Sequence, residues 1–152
     1  MKWVIVMEYS VNVRINKPVA VVTELFVNKQ LMQRWETNLV RIEESETPLF
    51  STGSHGVLVF NNDGNELRMT VSVTENDLPN TISLVYEVPG AYNRCLNRFA
   101  SSAEGTSWTM DVLFRFETDV DIPIELFISK TTENMNRFKK FVEEFMAVGS
   151  SS

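Results

Sequence analysis

Residues 131–146 read TTENMNRFKKFVEEFM, and this stretch, coming after long runs of strand-like sequence, decides the fold. Together with Phe127 upstream, Thr131, Met135, Phe138, Val142 and Phe145 recur at steps of three and four, which places them on one face of a helix. Lys130, Glu133, Arg137, Lys140 and Glu144 take the opposite face. The helix is predicted to begin near Asp121-Ile122-Pro123, where Asp119, Asp121 and Glu125 suit its positive end. Lys139 and Lys140 suit its later part. Gly149 can end it, and residues 149–152 read as a disordered tail. A long helix that closes a chain of hairpins predicts a curved antiparallel sheet folded around it. A cavity between the two would make a container for an apolar small molecule.

Upstream of the helix, turn signals set the strand register. Asp63-Gly64 is a strong hairpin signal, because a type I′ turn needs positive φ at both central positions. With those two as the loop, Asn62 faces Asn65, Phe60 faces Leu67, Leu58 faces Met69 and His55 faces Ser72. Pro89-Gly90, read alike, pairs Tyr86 with Asn93 and Leu84 with Cys95. Glu104-Gly105, read alike, pairs Phe99 with Met110, Asn97 with Val112 and Cys95 with Phe114. All three agree on one inner face: Ile82, Leu84 and Tyr86, then Asn93, Cys95, Asn97 and Phe99, then Trp108, Met110, Val112, Phe114 and Phe116. A one-residue slip in any hairpin would break that agreement. Compensating slips at Pro89-Gly90 and Glu104-Gly105 would instead turn Arg94 and Arg98 inward, making a site for a carboxylate or phosphate.

The start of the chain alternates. Trp3, Ile5, Met7, Tyr9, Val11, Val13 and Ile15 share one side of a half-buried strand. At Asn16-Lys17-Pro18 the period changes. Asn16 or Lys17 can cap a short helix whose first turn takes Pro18 and whose apolar side is Val19, Val22, Leu25 and Phe26. Asn28 starts a second short helical piece through Leu31, Met32 and Trp35. A strand near Leu39 to Glu44 follows.

Bulk properties limit the function classes. A chain of 152 residues fits one domain, assigned to residues 1–148. With 20 acidic against 14 basic residues the chain is net negative and shows no Lys/Arg run, which argues against nucleic acid as a partner. Cys95 is the only cysteine, so no intrachain disulfide forms and a reducing, cytoplasmic setting is expected. The apolar start Trp3 to Met7 is too short for a signal-peptide core. No apolar stretch approaches the ~20 residues of an integral membrane segment.

The order of elements resembles the START-like helix-grip (SRPBCC) superfamily, which includes polyketide cyclases, plant hormone binders and lipid-transfer domains. The resemblance rests on the Val11–Ile15 strand running into Asn16-Lys17-Pro18 with Val22 and Leu25. It rests also on Trp35 closing the second short helix, on Gly105-Thr106 before a long alternating strand, and on the final helix. It implies an α+β helix-grip fold: about seven antiparallel strands around a long C-terminal helix, with two short helices between strands 1 and 2. It also implies a cavity between sheet and helix that opens near the short helices. The inner face derived above would be partly the wall of that cavity.

An apolar cavity with a few convergent polar groups is how a small-ligand site usually looks. On the inner face Tyr86, Asn93 and Asn97 are the polar candidates, either orienting a carbonyl or hydroxyl of the ligand or bonding to one another. Phe99, Trp108, Met110, Phe114, Phe127, Met135 and Phe138 are candidates for the lining, or for plain core. Trp35 is an entrance residue or the anchor of the short helices. His55, the only histidine, faces outward, so no triad is built around it. No cofactor or metal is expected: one His and one Cys on opposite faces cannot hold zinc.

Three functions stay open. The chain could carry or sense an apolar or amphipathic molecule. It could act as a polyketide cyclase or dehydratase, with Tyr86 and Asn93 polarising carbonyls. Or it could be a protein-interaction module with a filled core and an outward apolar strip around Val57, Val59 and Leu113, a strip that would also suit a homodimer.

Overall fold

The computed structural model describes residues 2–145. The expected Gly149 cap and the tail at 149–152 lie outside the described residues. Strand β1 (Ile5–Ile15) leads into helix α1 (Val19–Phe26) and a 3-10 helix (Lys29–Arg34). Six strands follow: β2 (Leu39–Glu44), β3 (His55–Asn62), β4 (Asn65–Asp77), β5 (Thr81–Val88), β6 (Ala91–Ser102) and β7 (Gly105–Phe116). Helix α2 (Ile124–Glu144) closes the chain. The strands form one antiparallel sheet in the order β1-β7-β6-β5-β4-β3-β2, which is the helix-grip arrangement.

Local chemistry explains most boundaries. Asn28 caps the 3-10 helix, its side chain accepting from the Gln30 N–H at 3.1 Å. The residues expected to cap α1 do not. Its N-cap is Pro18, which makes no side-chain cap bond but presents an extended backbone ready for the first turn. Asp63 (φ 53°) and Gly64 (φ 88°) adopt the left-handed turn that sets the β3–β4 register as expected, with His55 opposite Ser72. Across β5–β6, Tyr86 pairs with Asn93 and Leu84 with Cys95.

The β6–β7 register differs by two residues from the expected one. Ser102 pairs with Gly105, so the loop is Ala103-Glu104, Phe99 faces Trp108 and Asn97 faces Met110. A two-residue shift keeps every side chain on its face, so the inner wall is unchanged. The glycine has another task. A Cβ on Gly105 would collide with the Ile15 carbonyl and stand 2.8 Å from the Lys17 nitrogen, and the residue holds φ 137°. It marks a close approach of backbone rather than a turn.

The core fills one end of the grip. α2 lies along β1, while α1 covers β6 and β7. Phe26 meets Phe99, Trp108 and Phe138 edge-on at 5.4–5.7 Å, and Trp35 meets Phe138 at 4.8 Å. Aromatic pairs favour such angles. Met135, Phe138 and Val142 of α2 are fully buried there, joined by Phe141, which lies outside the six-residue stripe read from the sequence.

The outer face does not carry the expected apolar strip. Val59 and Leu113 are 0% and 3% exposed, and Val57 is half-buried. Val59 sits between Arg41 and Arg68 in the ladder, and their guanidiniums converge on Glu43. Leu113 sits between Glu8 and Arg94. The aliphatic stems of such side chains cover apolar neighbours while their charges stay in water.

Candidate functional site

Inward residues fall into two groups by burial. At the α1 end, Ile82, Leu84, Asn97, Phe99 and Trp108 are buried. At the other end one rung crosses the sheet through Tyr86, Asn93, Phe114 and Met7, paired in that order. All four are only half-buried, although they face the helix side. Phe60, Met69 and Ile42, on the part of the sheet away from β1, are half-buried too. Above the rung stands the first half of α2. Phe127 packs on Phe114 at 5.2 Å, and the Tyr9 hydroxyl meets Thr131 Oγ1 at 2.7 Å.

The polar candidates separate. Asn97, 1% exposed, accepts a bond from Trp108 Nε1 at 3.0 Å and directs its amide toward the Ile82 and Cys95 carbonyls at 3.4 Å. It is tied into the core with its neighbours. Asn93 donates to the Leu113 carbonyl at 3.2 Å and accepts from Cys95 Sγ at 3.3 Å. Tyr86 differs. Burial above all, with Cys95 and Glu36 nearby, holds its phenol well above the usual range. It therefore remains a neutral O–H donor. Burial likewise pushes the Cys95 thiol up to about 12, which leaves it unreactive. Arg94 and Arg98 point outward, and Arg98 pairs with Asp111 at 2.9 Å.

A cleft of about 500 Å³ opens where the end of the 3-10 helix meets the second half of α2. Trp35, Glu36, Asn38, Arg137, Lys140 and Phe141 are among the residues that line it. Trp35 packs on Phe26 and Phe138, as an anchor of the short helices would, and also borders the cleft. Burial raises the carboxyl pKa of Glu36, and the Arg137 charge pulls it back down. Sequence reasoning missed Glu36, Lys140 and Phe141 as site residues and put Arg137 on the solvent face. Phe141 was findable, because it follows Phe138 by three. A single carboxylate turned inward after a short helix leaves no periodic signal.

Phe114 and Phe127 lie at the half-buried rung; Met110, itself half-buried, pairs with Asn97 at the filled end, to which Phe99, Trp108, Met135 and Phe138 belong. Among the described residues no helix is long and apolar enough to cross a membrane.

No protein-family model matches the chain, and no curated protein does. Its likeness is to solved structures. Ara h 8.0201 superposes with a TM-score of 0.76 at 14% identity, covering 90% of this chain and 97% of that one. An uncharacterised protein from Rhizobium leguminosarum gives 0.76 at 12% identity, with 92% and 96% covered. An AHSA1-like protein from Aeromonas hydrophila gives 0.67 at 16% identity, with 93% and 99% covered. At such identities it is the fold that is shared.

Proposed function

We propose that this chain, folded as a START-like helix grip, binds an apolar or amphipathic small molecule between the sheet and the first half of α2. One observation carries the reading: the rung Met7–Phe114–Asn93–Tyr86 faces inward yet is only half-buried. Inward apolar side chains in a filled core would be buried, as Leu84 and Trp108 are. The position of α2 along β1 supports the same view, since Phe60, Met69 and Tyr86 lie on strands away from β1 in the sheet order. Tyr86 then offers its O–H to a carbonyl or hydroxyl of the ligand. A lipid-, polyketide- or hormone-like molecule fits this wall of aromatic and methionine side chains. The reading sets the chain in a reducing cytoplasm, where a lone thiol such as Cys95 stays reduced.

Carriage is favoured over cyclase-like catalysis because the Asn93 and Asn97 amides already donate to main-chain carbonyls. Only Tyr86 is left to polarise a substrate. The interaction-module reading loses the strip from which it was drawn, since Val59 and Leu113 are buried.

The test is a fluorescence titration with the uncharged apolar dye N-phenyl-1-naphthylamine, beside native mass spectrometry of protein purified from cells. Saturable one-to-one dye binding is expected, weakened about tenfold or more by Met69→Trp, which fills the space with bulk. Dye binding that neither saturates nor responds to Met69→Trp would reject the site. A co-purified mass that leaves on denaturation would begin to identify the ligand.

A further inference from the structure

We infer that the cleft where residues 33–38 meet α2 is a head-group subsite for a single carboxylate, held by the side-chain N–H groups of Trp35 and Arg137. This deepens the function proposed above and rests on it. Trp35 Nε1 and Arg137 Nε are buried and have no hydrogen-bond partner among the described residues. Folded proteins rarely bury a donor without an acceptor, and both side chains belong to the lining of this one cleft, so an acceptor entering it is what would satisfy them.

Charge in the cleft points the same way. Arg34, Arg137 and Lys140 all line it, on a chain whose formal net charge is -6. The Arg34 guanidinium lies over Phe141 and Phe145, 5.2 and 5.7 Å from their centroids, and Lys140 is exposed. Glu36 and Glu144 stand against these three cations in the lining and Glu133 pairs with Arg137, so Arg34 and Lys140 are the cations that an anion would meet there. The terminal nitrogens of Arg137 are already taken, one by Glu133 at 3.1 Å and the other by Asn134. Arg137 therefore offers its Nε edge alone, and Trp35 offers one N–H. Two single donors match the two oxygens of a carboxylate.

Glu36 and Glu144 on the same cleft oppose a doubly charged phosphate. Glu36 repels a single charge less than an exposed carboxylate would, because burial disfavours its ionised form. The Trp35 ring stacks on Phe26 at 6.1 Å and meets Phe138 at 4.8 Å, so it ties the cleft to the interior. Trp35 and Phe141 also give the cleft apolar side chains against which an acyl chain can lie. The ligand class that follows is a long-chain monocarboxylate.

Calorimetric titration of the full chain with dodecanoate, methyl dodecanoate and dodecyl phosphate, each below its micellar concentration, tests this. Dodecanoate is expected to bind about tenfold tighter than the ester, with the phosphate weaker than the carboxylate. Trp35→Phe keeps the ring and removes the donor, and Arg137→Gln removes the cation. Each should weaken dodecanoate about fivefold or more and leave the ester unchanged, with thermal melting verifying the fold. Equal affinity for acid and ester would overturn the subsite and leave the interior reading intact. Tighter binding of the phosphate would overturn the carboxylate assignment. If no probe saturates, both readings fall.

Discussion

Among single residues, Asn97 shows most clearly how position sets role. It faces inward as its strand phase required, yet its carbonyl accepts the Trp108 indole N–H, so it belongs to the core. Asn97→Ala would leave that N–H buried without a partner. A loss of about 2–3 kcal/mol is expected, read as a lower urea midpoint with unchanged slope. Glu36 makes the opposite case, a carboxyl held by burial in an environment that disfavours its charge. Its folded pKa is raised, so its contribution to stability is complete below the ordinary glutamate pKa and lost as pH rises through the folded value. Glu36→Gln should therefore raise Tm at neutral pH, and the gain should vanish near about pH 4. An equal gain at both pH values would contradict the assignment. Strand phase turned Asn97 inward, but its partner Trp108 and the burial of Glu36 were not legible, because hydrogen-bond partners and burial come from residues distant along the chain.

For the elements, local pattern carried most of the information. The strand phases of β1 and β3–β7 follow from alternation, and the Asp63-Gly64 turn follows from its chemistry. Gly105 was misleading, since a glycine beside a polar residue signals a turn as readily as a close backbone contact. Its Cβ would strike β1 and the chain just after it, at Ile15 and Lys17. Gly105→Ala should destabilise by more than about 3 kcal/mol, beyond the ~1–2 kcal/mol of positive φ alone. Gly64→Ala, with nothing within 4 Å of its Cβ, supplies that comparison. Similar shifts of Tm for the two variants would show that the β1 contact is not what demands the glycine. α2 was legible in its spacing, but the apolar stripe is wider than six residues because α1, the 3-10 helix and β1 pack around its second half.

For the whole molecule, what matters is that α2 fills one end of the grip and leaves several inward side chains at the other only half-buried, beside the buried Leu58 and Val71. Two methionines report this directly. Met135 is fully buried, whereas inward Met69 is half-buried. Met135→Ala should cost about 2–5 kcal/mol, and Met69→Ala less than ~1.5 kcal/mol, in denaturant titrations. Equal costs would mean an interior filled throughout and would remove the room for a ligand. The sequence by itself determined the type and order of the elements, the strand phases and the α+β class. Those properties depend on neighbours two to four residues apart, and periodicity records them. Only the tertiary structure decided where α2 lies on the sheet, which inward residues stay half-covered, and that Trp35, Glu36 and Arg137 meet at one cleft. Those facts depend on how curved layers pack, and side chains about a hundred residues apart leave no common period in the chain.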